Sequence, residues 1–510
     1  MIAPDDRSTL APSSSAQSQL QRPILALLLI TSALVVIGCL ARQFVSWRNF
    51  GDLESEGGMW TTLALDAANG VIYRPIFSPL GYGGTRYGPL HFLIHAALLK
   101  AGAPPIASGF LMGIACALVT LAGIYVLMRK LQTPRSLAIP LTTFFLAAFC
   151  VRSGILSIKA DLLATSLDVW GMIAALGLLP SPGTPGEGQG GGSSPPWPRA
   201  MLAAICFALA VAAKITSLFG ICTIVTWLLL RRDFKNAARV LIIFLLAVAG
   251  IITAVQFASE GRLGHIFLLS ASANSGIARL LQAPYHFFHA AAIRDRAVGA
   301  FWLAAIVALF CRPHWTALPT ILMGYTTLGT VAIFGTHGTD MNHLMDLQIA
   351  SLIVLGVQCR SGNLARWILV VVVLISLHAA HSCINDINLM RTERNRHHLL
   401  ACLSDTEKSF VNGPIFSDNP IIPILAGERP YMLDCMIFSA IDVRHYETQE
   451  ALISDLTRQH FRAVIVNLDL THNTISTPTD PWPGILDIMK TKYQLTDTQD
   501  RNQVYLPKMP

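Results

Sequence analysis

The side chains in this chain best suited to chemistry are clustered acids. "GDLESEGGMW" places Asp52, Glu54 and Glu56 within five residues. A carboxylate there can take a proton from a hydroxyl as a general base, or stabilise a neighbouring cationic centre. A fourth acid, Asp161, follows Lys159 in "RSGILSIKAD", and "NHLMD" sets Asn342, His343 and Asp346 about one helical turn across. Arg86, Lys159 and Arg152 suit an anion, because guanidinium and ammonium groups aimed at a phosphate stabilise its charge. Arg74, Lys214, Arg279, Arg294 and Arg296 are further cations of the same kind. Each residue also has a plainer reading. Acids in a loop can be solvated surface, Lys159 and Asp161 a structural ion pair, and the "NHLMD" residues a helix cap. Tyr73, Tyr82 and Tyr87 can anchor at a membrane interface or stack on a ligand.

The elements that must position these residues follow from composition. The 510-residue chain is 53% hydrophobic and 13% charged. A soluble chain of this size carries about 25% charged residues, so this is a polytopic membrane protein. Nothing in its net charge of +7 points to nucleic acid. Apolar runs long enough, or nearly so, for a core of about 30 Å lie at 24–41, 106–128, 136–151, 162–179, 240–257, 317–334 and 367–380. Shorter runs at 201–213, 215–230, 297–310 and 344–357 bring the expectation to about eleven spans. The run 24–41 is followed by "ARQFVSWRNF" rather than a small-residue cleavage site, so it reads as a retained span behind a disordered leader, 1–23.

Basic residues in short loops set the orientation. Arg129, Lys130 and Arg135, then Arg231, Arg232, Lys235 and Arg239, then Arg312, then Arg360 and Arg366 fall on one side, the cytoplasmic one. The Gly/Pro/Ser linker 181–198 reads as a flexible cytoplasmic loop. The first loop, 42–105, is then exported, together with the acids and everything after the last span. The domains are therefore the leader, a transmembrane domain over 24–384, and an exported domain over 385–510. Strand-length "AVIVNLDL", the amphipathic "ALISDLTRQHF" and turns such as "SDNP" make that last part a small α/β domain. The fold class is thus an all-α polytopic membrane domain with interfacial helices, followed by a small exported α/β domain. Ten cysteines are scattered, and only Cys402 and Cys435 clearly fall in the exported part. No spacing of a defined metal site occurs, and a divalent cation stays open as a partner.

Within the first loop, "TTLALDAANG" has helical composition ended by Asn-Gly, and "RYGPLHFLIHAALLK" is an apolar helix begun by Pro89. Counting the second as a crossing would put Arg129, Lys130 and Arg135 outside, so both read as helices along the interface. An acidic pair after the first span, a helix ending in Gly, a Gly/Tyr-rich stretch and an aromatic-x-Pro-Leu helix resemble the first exported loop of GT-C fold glycosyltransferases. These polyprenyl-phosphate-sugar-dependent enzymes include protein O-mannosyltransferases, lipid A aminoarabinose transferases and bacterial lipopolysaccharide sugar transferases. "SIKADLLATSLDVWG", "LAVAAKITSLFG" and "GTDMNHLMDLQIA" resemble later features of that family in the same order. One departure stands out. Laid without gaps on "SEGGMWTTLALDAANG", the family's Asp-Glu pair puts Ser55 at the Asp and Glu56 at the Glu.

The resemblance implies an inner-membrane glycosyltransferase. Its donor would be a polyprenyl-phosphate-linked sugar and its acceptor a lipid, glycan or protein hydroxyl. Glu56 would act as base, Asp161 as supporting acid, and Asp52 or Glu54 as replacements. Arg86 and Lys159, with Arg152, would meet the donor phosphate, and Tyr82, Tyr87, Asn342, His343 and Asp346 the substrate. A transporter or flippase of lipid-linked sugars is the alternative from another class; midplane charges and repeated halves would mark it, and the acids here cluster at one face instead. A structural subunit with a partner-recruiting tail is a third.

Overall fold

The computed structural model describes residues 14–85, 87–178, 196–272, 277–311, 317–336, 339–359, 363–392, 395–435, 438, 446–467, 482–499 and 502–509. Most of the linker 181–198, and all of Arg86, therefore lie outside the described residues.

The apolar runs expected to span fold largely into helices among the described residues. The helices are α1 (Ser14–Asn49), α2 (Ser55–Ala68), α3 (Pro89–Lys100), α4 (Pro105–Lys130), α5 (Arg135–Thr143), α6 (Phe149–Ile155), α7 (Asp161–Leu176) and α8 (Pro196–Ala213). They continue as α9 (Phe219–Leu230), α10 (Phe234–Ala258), α11 (Arg262–Ser272), α12 (Ile277–His289), α13 (Arg296–Cys311), α14 (Leu318–Ile333), α15 (Met345–Gln358) and α16 (Asn363–Thr392). Local sequence explains several boundaries. Pro89 and Pro105 open α3 and α4 at positions where no backbone N–H is needed. The Asp233 carboxylate caps α10 by accepting from the Asn236 N–H at 3.2 Å.

Apolar surface turned outward on these helices marks a multi-pass membrane protein. By length and composition, however, four described helices suffice to cross alone: Arg22–Asn49, Pro105–Lys130, Phe234–Ala258 and Trp367–Asn388. The run 136–151 is not one straight span. It breaks at Ala148, whose extended backbone separates α6 from the preceding helix by a bend of 74°. The bend is held by Arg152, whose guanidinium donates to the Leu146 and Ala147 carbonyls while its own carbonyl accepts from Arg42 and Gln43. Shorter apolar helices complete the bundle, with α1 packed along α16, and α7 against both α4 and α8.

The C-terminal part folds around a mixed four-stranded sheet of order β3-β4-β6-β5, formed by Ile415–Ser417, Ala463–Asn467, Asn502–Pro507 and Tyr493–Gln499. Here β3 and β4 run parallel and the other neighbours antiparallel. The sheet domain grips the first loop. Phe77–Ser78 and Gly81–Tyr82 form a short hairpin, β1-β2, and the Tyr82 N–H donates to the Tyr431 carbonyl at 2.8 Å. Beside it the buried Arg74 holds Asp66 through two bonds of 2.6 and 3.0 Å and reaches the Pro430 carbonyl at 2.8 Å. Arg429 approaches the same carboxylate from the sheet domain. Tyr82 itself is buried among Phe77, Tyr431 and Phe438.

Candidate functional site

The site forms where the first turn of α2 meets the turn before α7. Glu54 stands at the N-terminal boundary of α2 in extended conformation, and Glu56 lies in the first turn. The helix dipole favours a carboxylate there. Close approach of the two segments depends on Gly57, where a Cβ would stand 2.6 Å from the Ser157 carbonyl oxygen. This contact brings Glu56 into an ion pair with Lys159, and Glu54 lies 3.8 Å from the same ammonium. Burial works against charge on Lys159, but the Glu56 and Glu54 carboxylates outweigh it and hold the group above the usual lysine range. The Tyr87 hydroxyl donates to Glu56 Oε1 at 3.0 Å, and the Tyr87 ring stacks obliquely on Trp60 with centroids 4.6 Å apart.

A second cation and acid stand across from this pair. Lys214, at the end of α8, bonds Asp161 Oδ1 at 2.5 Å, and the Asn342 side-chain amide donates to the same oxygen at 3.1 Å. Another close approach aligns α8 with the first loop, since a Cβ at Gly88 would lie 2.3 Å from the Ala212 carbonyl. Glu56, Trp60, Tyr87, Asp161, Lys214 and His343 line a cavity of about 200 Å³ between these segments. It adjoins an apolar groove of about 350 Å³ bounded by α8, α10 and α11, and Gly88 and Ile215 line both.

Asp52 has a different setting. Both its oxygens accept from Arg42, at 2.7 and 2.8 Å, and Oδ2 also accepts from the Ser46 hydroxyl at 2.6 Å. Arg42 continues to Asp386 at 3.6 Å, and Arg152 meets Asp386 at 2.6 Å. Asp52, Glu54, Lys159 and Asp161 line a second cavity of about 210 Å³ that shares Asp161, Asp340 and Asn342 with the first.

The structure therefore brings together Glu56, Glu54, Lys159, Asp161, Tyr87, Asn342 and His343. It does not bring Tyr82, which sits in the sheet-domain contact, nor Arg152, whose guanidinium is spent on Asp386 and two carbonyls. Asp346 accepts from Thr165 at 3.2 Å on the α7–α15 contact and lines neither cavity.

At the level of sequence, no family model and no curated relative matches the chain. Solved structures do. ArnT from Cupriavidus metallidurans, in its apo state, aligns with a TM-score of 0.57 at 11% identity over 92% of this chain and 97% of that one. The same protein bound to undecaprenyl phosphate gives 0.56 at 11% over 93% and 98%. AglB, an oligosaccharyltransferase from Archaeoglobus fulgidus, in complex with an inhibitory peptide and a dolichol-phosphate, gives 0.57 at 9% over 94% and 74%. The fold is that of the GT-C glycosyltransferases. The expected membrane domain followed by a C-terminal domain is the arrangement this fold carries, although the number of crossings is not fixed by it.

A crystal structure of the Archaeoglobus fulgidus oligosaccharyltransferase carries Zn and sulfate. In the present chain, no group of three or more His, Cys, Asp or Glu among the described residues stands where a metal ion could be held. Asp52, Glu56 and Asp161 are each engaged by an arginine or lysine. Sequence reasoning left Lys214 as one of several unranked cations. Its "AAKIT" context carries no signal that α8 ends against the first loop, which is a tertiary fact.

Proposed function

We propose that the protein is an integral membrane glycosyltransferase that moves a sugar from a polyprenyl-phosphate donor to a hydroxyl acceptor. The observation that carries this reading is the charged cavity opening beside an apolar groove. An amphiphile with a phosphate head and a hydrocarbon tail matches both halves. The tail would lie against α8, α10 and α11, an apolar lining that matches the hydrocarbon it leaves. The phosphate would sit at the junction near Lys214, with Lys159 as the second cation, and the sugar would extend towards Glu56 and Asn342. Asn342 Oδ1 is buried with no hydrogen-bond partner among the described residues, and a sugar hydroxyl would supply one.

In the proposed mechanism the acceptor hydroxyl attacks the anomeric carbon in line as the lipid phosphate departs. Glu56 takes the hydroxyl proton, and its charge steadies the oxocarbenium-like centre. Before reaction, Lys159 and Tyr87 orient the Glu56 carboxylate. Lys214 and Lys159 stabilise the charge that develops on the departing phosphate. Asp161 holds Lys214 in place. Asp52, whose oxygens are already taken by Arg42 and Ser46, suits the role of a brace for the loop better than that of a base.

The proposed topology places the leader and the linker 181–198 in the cytoplasm and the acidic loop, with the sheet domain from about 385 on, outside, on about eleven crossings. The deciding experiment measures transfer from an undecaprenyl-phosphate-linked sugar in membranes with matched protein levels. Product formed by the wild type and lost in Glu56→Gln supports the reading. Movement of the lipid-linked sugar across the bilayer with no transfer would replace it with a flippase.

A further inference from the structure

Beyond the carboxylates, on the side away from the apolar groove, lies a third cavity of about 450 Å³. It shares Phe149, Arg294, Met341 and Asp386 with the cavity that holds Asp52 and Lys159, so the three form a continuous series. Its charge is unlike that of its neighbours. Arg152, Arg294, Arg296, His378 and His381 line it against two aspartates, Asp295 and Asp386. Both aspartates already have partners, Asp386 with one of the cavity's own arginines. Asp295 is buried and accepts from the backbone N–H groups of Cys150 at 2.8 Å and Val298 at 3.5 Å, while Asp386 is held by Arg152 and Arg42. Arg294 touches Asp340 at 3.2 Å, with both side chains about half exposed, a pair that contributes little in water. Arg296 is exposed and has no acidic partner among the described residues.

We propose that this third cavity is the acceptor's entrance and that the acceptor carries a phosphate monoester there, held by Arg294 and Arg296. The inference rests on the glycosyltransferase reading, because it takes the carboxylates between the cavities as the place of reaction. Two guanidinium groups one residue apart, at the junction between the turn Ala290–Arg294 and α13, match a phosphate's several acceptor oxygens. Three arginines against two aspartates leave the lining of this cavity net positive. A phosphate anchored there directs a hydroxyl of the same molecule towards Glu56 through the middle cavity, opposite the donor.

The test uses full-length protein in phosphatidylcholine nanodiscs, titrated with dihexanoyl phosphatidic acid, glucose 6-phosphate, their neutral counterparts dihexanoylglycerol and glucose, and, separately, undecaprenyl phosphate. At least one phosphorylated probe is expected to bind and the neutral ones not, with the stronger of the two telling whether the phosphate is lipid-borne or sugar-borne. Arg296→Gln is expected to weaken that binding about tenfold, Arg294→Gln/Arg296→Gln further, and Arg296→Lys only slightly. Undecaprenyl phosphate should bind all variants like wild type. Equal binding of charged and neutral probes, no binding of either phosphorylated probe, or unchanged phosphate binding in the double variant would overturn the proposal. So would a parallel loss of undecaprenyl phosphate, which would assign the arginines to the donor site. If the wild type itself does not bind undecaprenyl phosphate, the glycosyltransferase reading fails instead.

Discussion

Glu56 and Lys159 form an ion pair that ties the start of α2 to the turn before α7, and it closes because Gly57 lets the two backbones touch. A pair bridging segments a hundred residues apart fixes the floor of the charged cavity. Changes to the glycine and to the acid should therefore have separable effects.

Gly57→Ala tests the contact. In an ordinary helix the change gains roughly 1 kcal/mol of helix propensity. Here the new methyl would meet a backbone carbonyl, and such overpacking costs about 1 to 3 kcal/mol. A lowered melting temperature together with reduced transfer is expected; a stabilised, active variant would show that α2 does not depend on this approach.

Glu56→Gln removes the proposed base. Transfer should fall by about two to four orders of magnitude while undecaprenyl phosphate still binds, because the proton is removed only in the transition state. Near-normal turnover would take Glu56 out of the reaction.

Asp52→Asn should behave differently. Breaking one side of a buried pair leaves Arg42 with only the more distant Asp386, at a cost of up to about 3 kcal/mol. The loss should show as a lower melting temperature, partly restored in the Arg42→Met/Asp52→Asn double variant. An Asp52→Asn protein of wild-type stability and no activity would move the base four residues earlier.

Lys214→Ala should weaken undecaprenyl phosphate binding roughly 10-fold to over 100-fold, the worth of a charge-assisted contact of about 1.5 to 3 kcal/mol. Lys159→Ala should do so as well. Unchanged affinity in both would place the phosphate elsewhere.

Asp418 gives the sheet domain a pH dependence. Burial pushes its carboxyl up to about 6, against 3.8 for an ordinary aspartate. Below about pH 4 the group is protonated whether folded or not, so it costs nothing. Between about pH 4 and pH 6 the unfolded chain is ionised while the folded group stays protonated, so stability falls across that window, by about 3 kcal/mol in all. Protection factors from hydrogen exchange at Ile415–Ser417 in the full-length protein, which divide out the base catalysis of exchange itself, should be larger at pH 4.5 than at pH 7. Asp418→Asn, which keeps an oxygen for the Asn467 N–H, should remove the difference.

Sequence periodicity exposes most of the apolar helices, the two helices of the first loop and the α/β character of the last part, because each is local; α11, α12 and the bend within 136–151 carry no such signal. Arg152 stands apart from the charged cavity, held by the bend at Ala148 and paired with an aspartate 234 residues away, and nothing local announces either. The same holds for Tyr82, whose partners Tyr431 and Phe438 come from the far end of the chain. Glu56, Lys159 and Asp161 were legible because acids and lysines at the mouths of apolar runs stand out against a chain poor in charge.

The grip of the sheet domain on the first loop has a consequence for biogenesis. Asp66, Arg74 and Tyr82 are made early, yet Arg429, Pro430 and Tyr431, which clamp them, leave the ribosome more than three hundred residues later. During most of translation the loop that carries Glu56 thus lacks the surface that fastens its hairpin. Fastening of the first loop waits for the end of synthesis, and a nascent chain stalled inside its last apolar helix would sit in the bilayer with the hairpin of that loop unclamped.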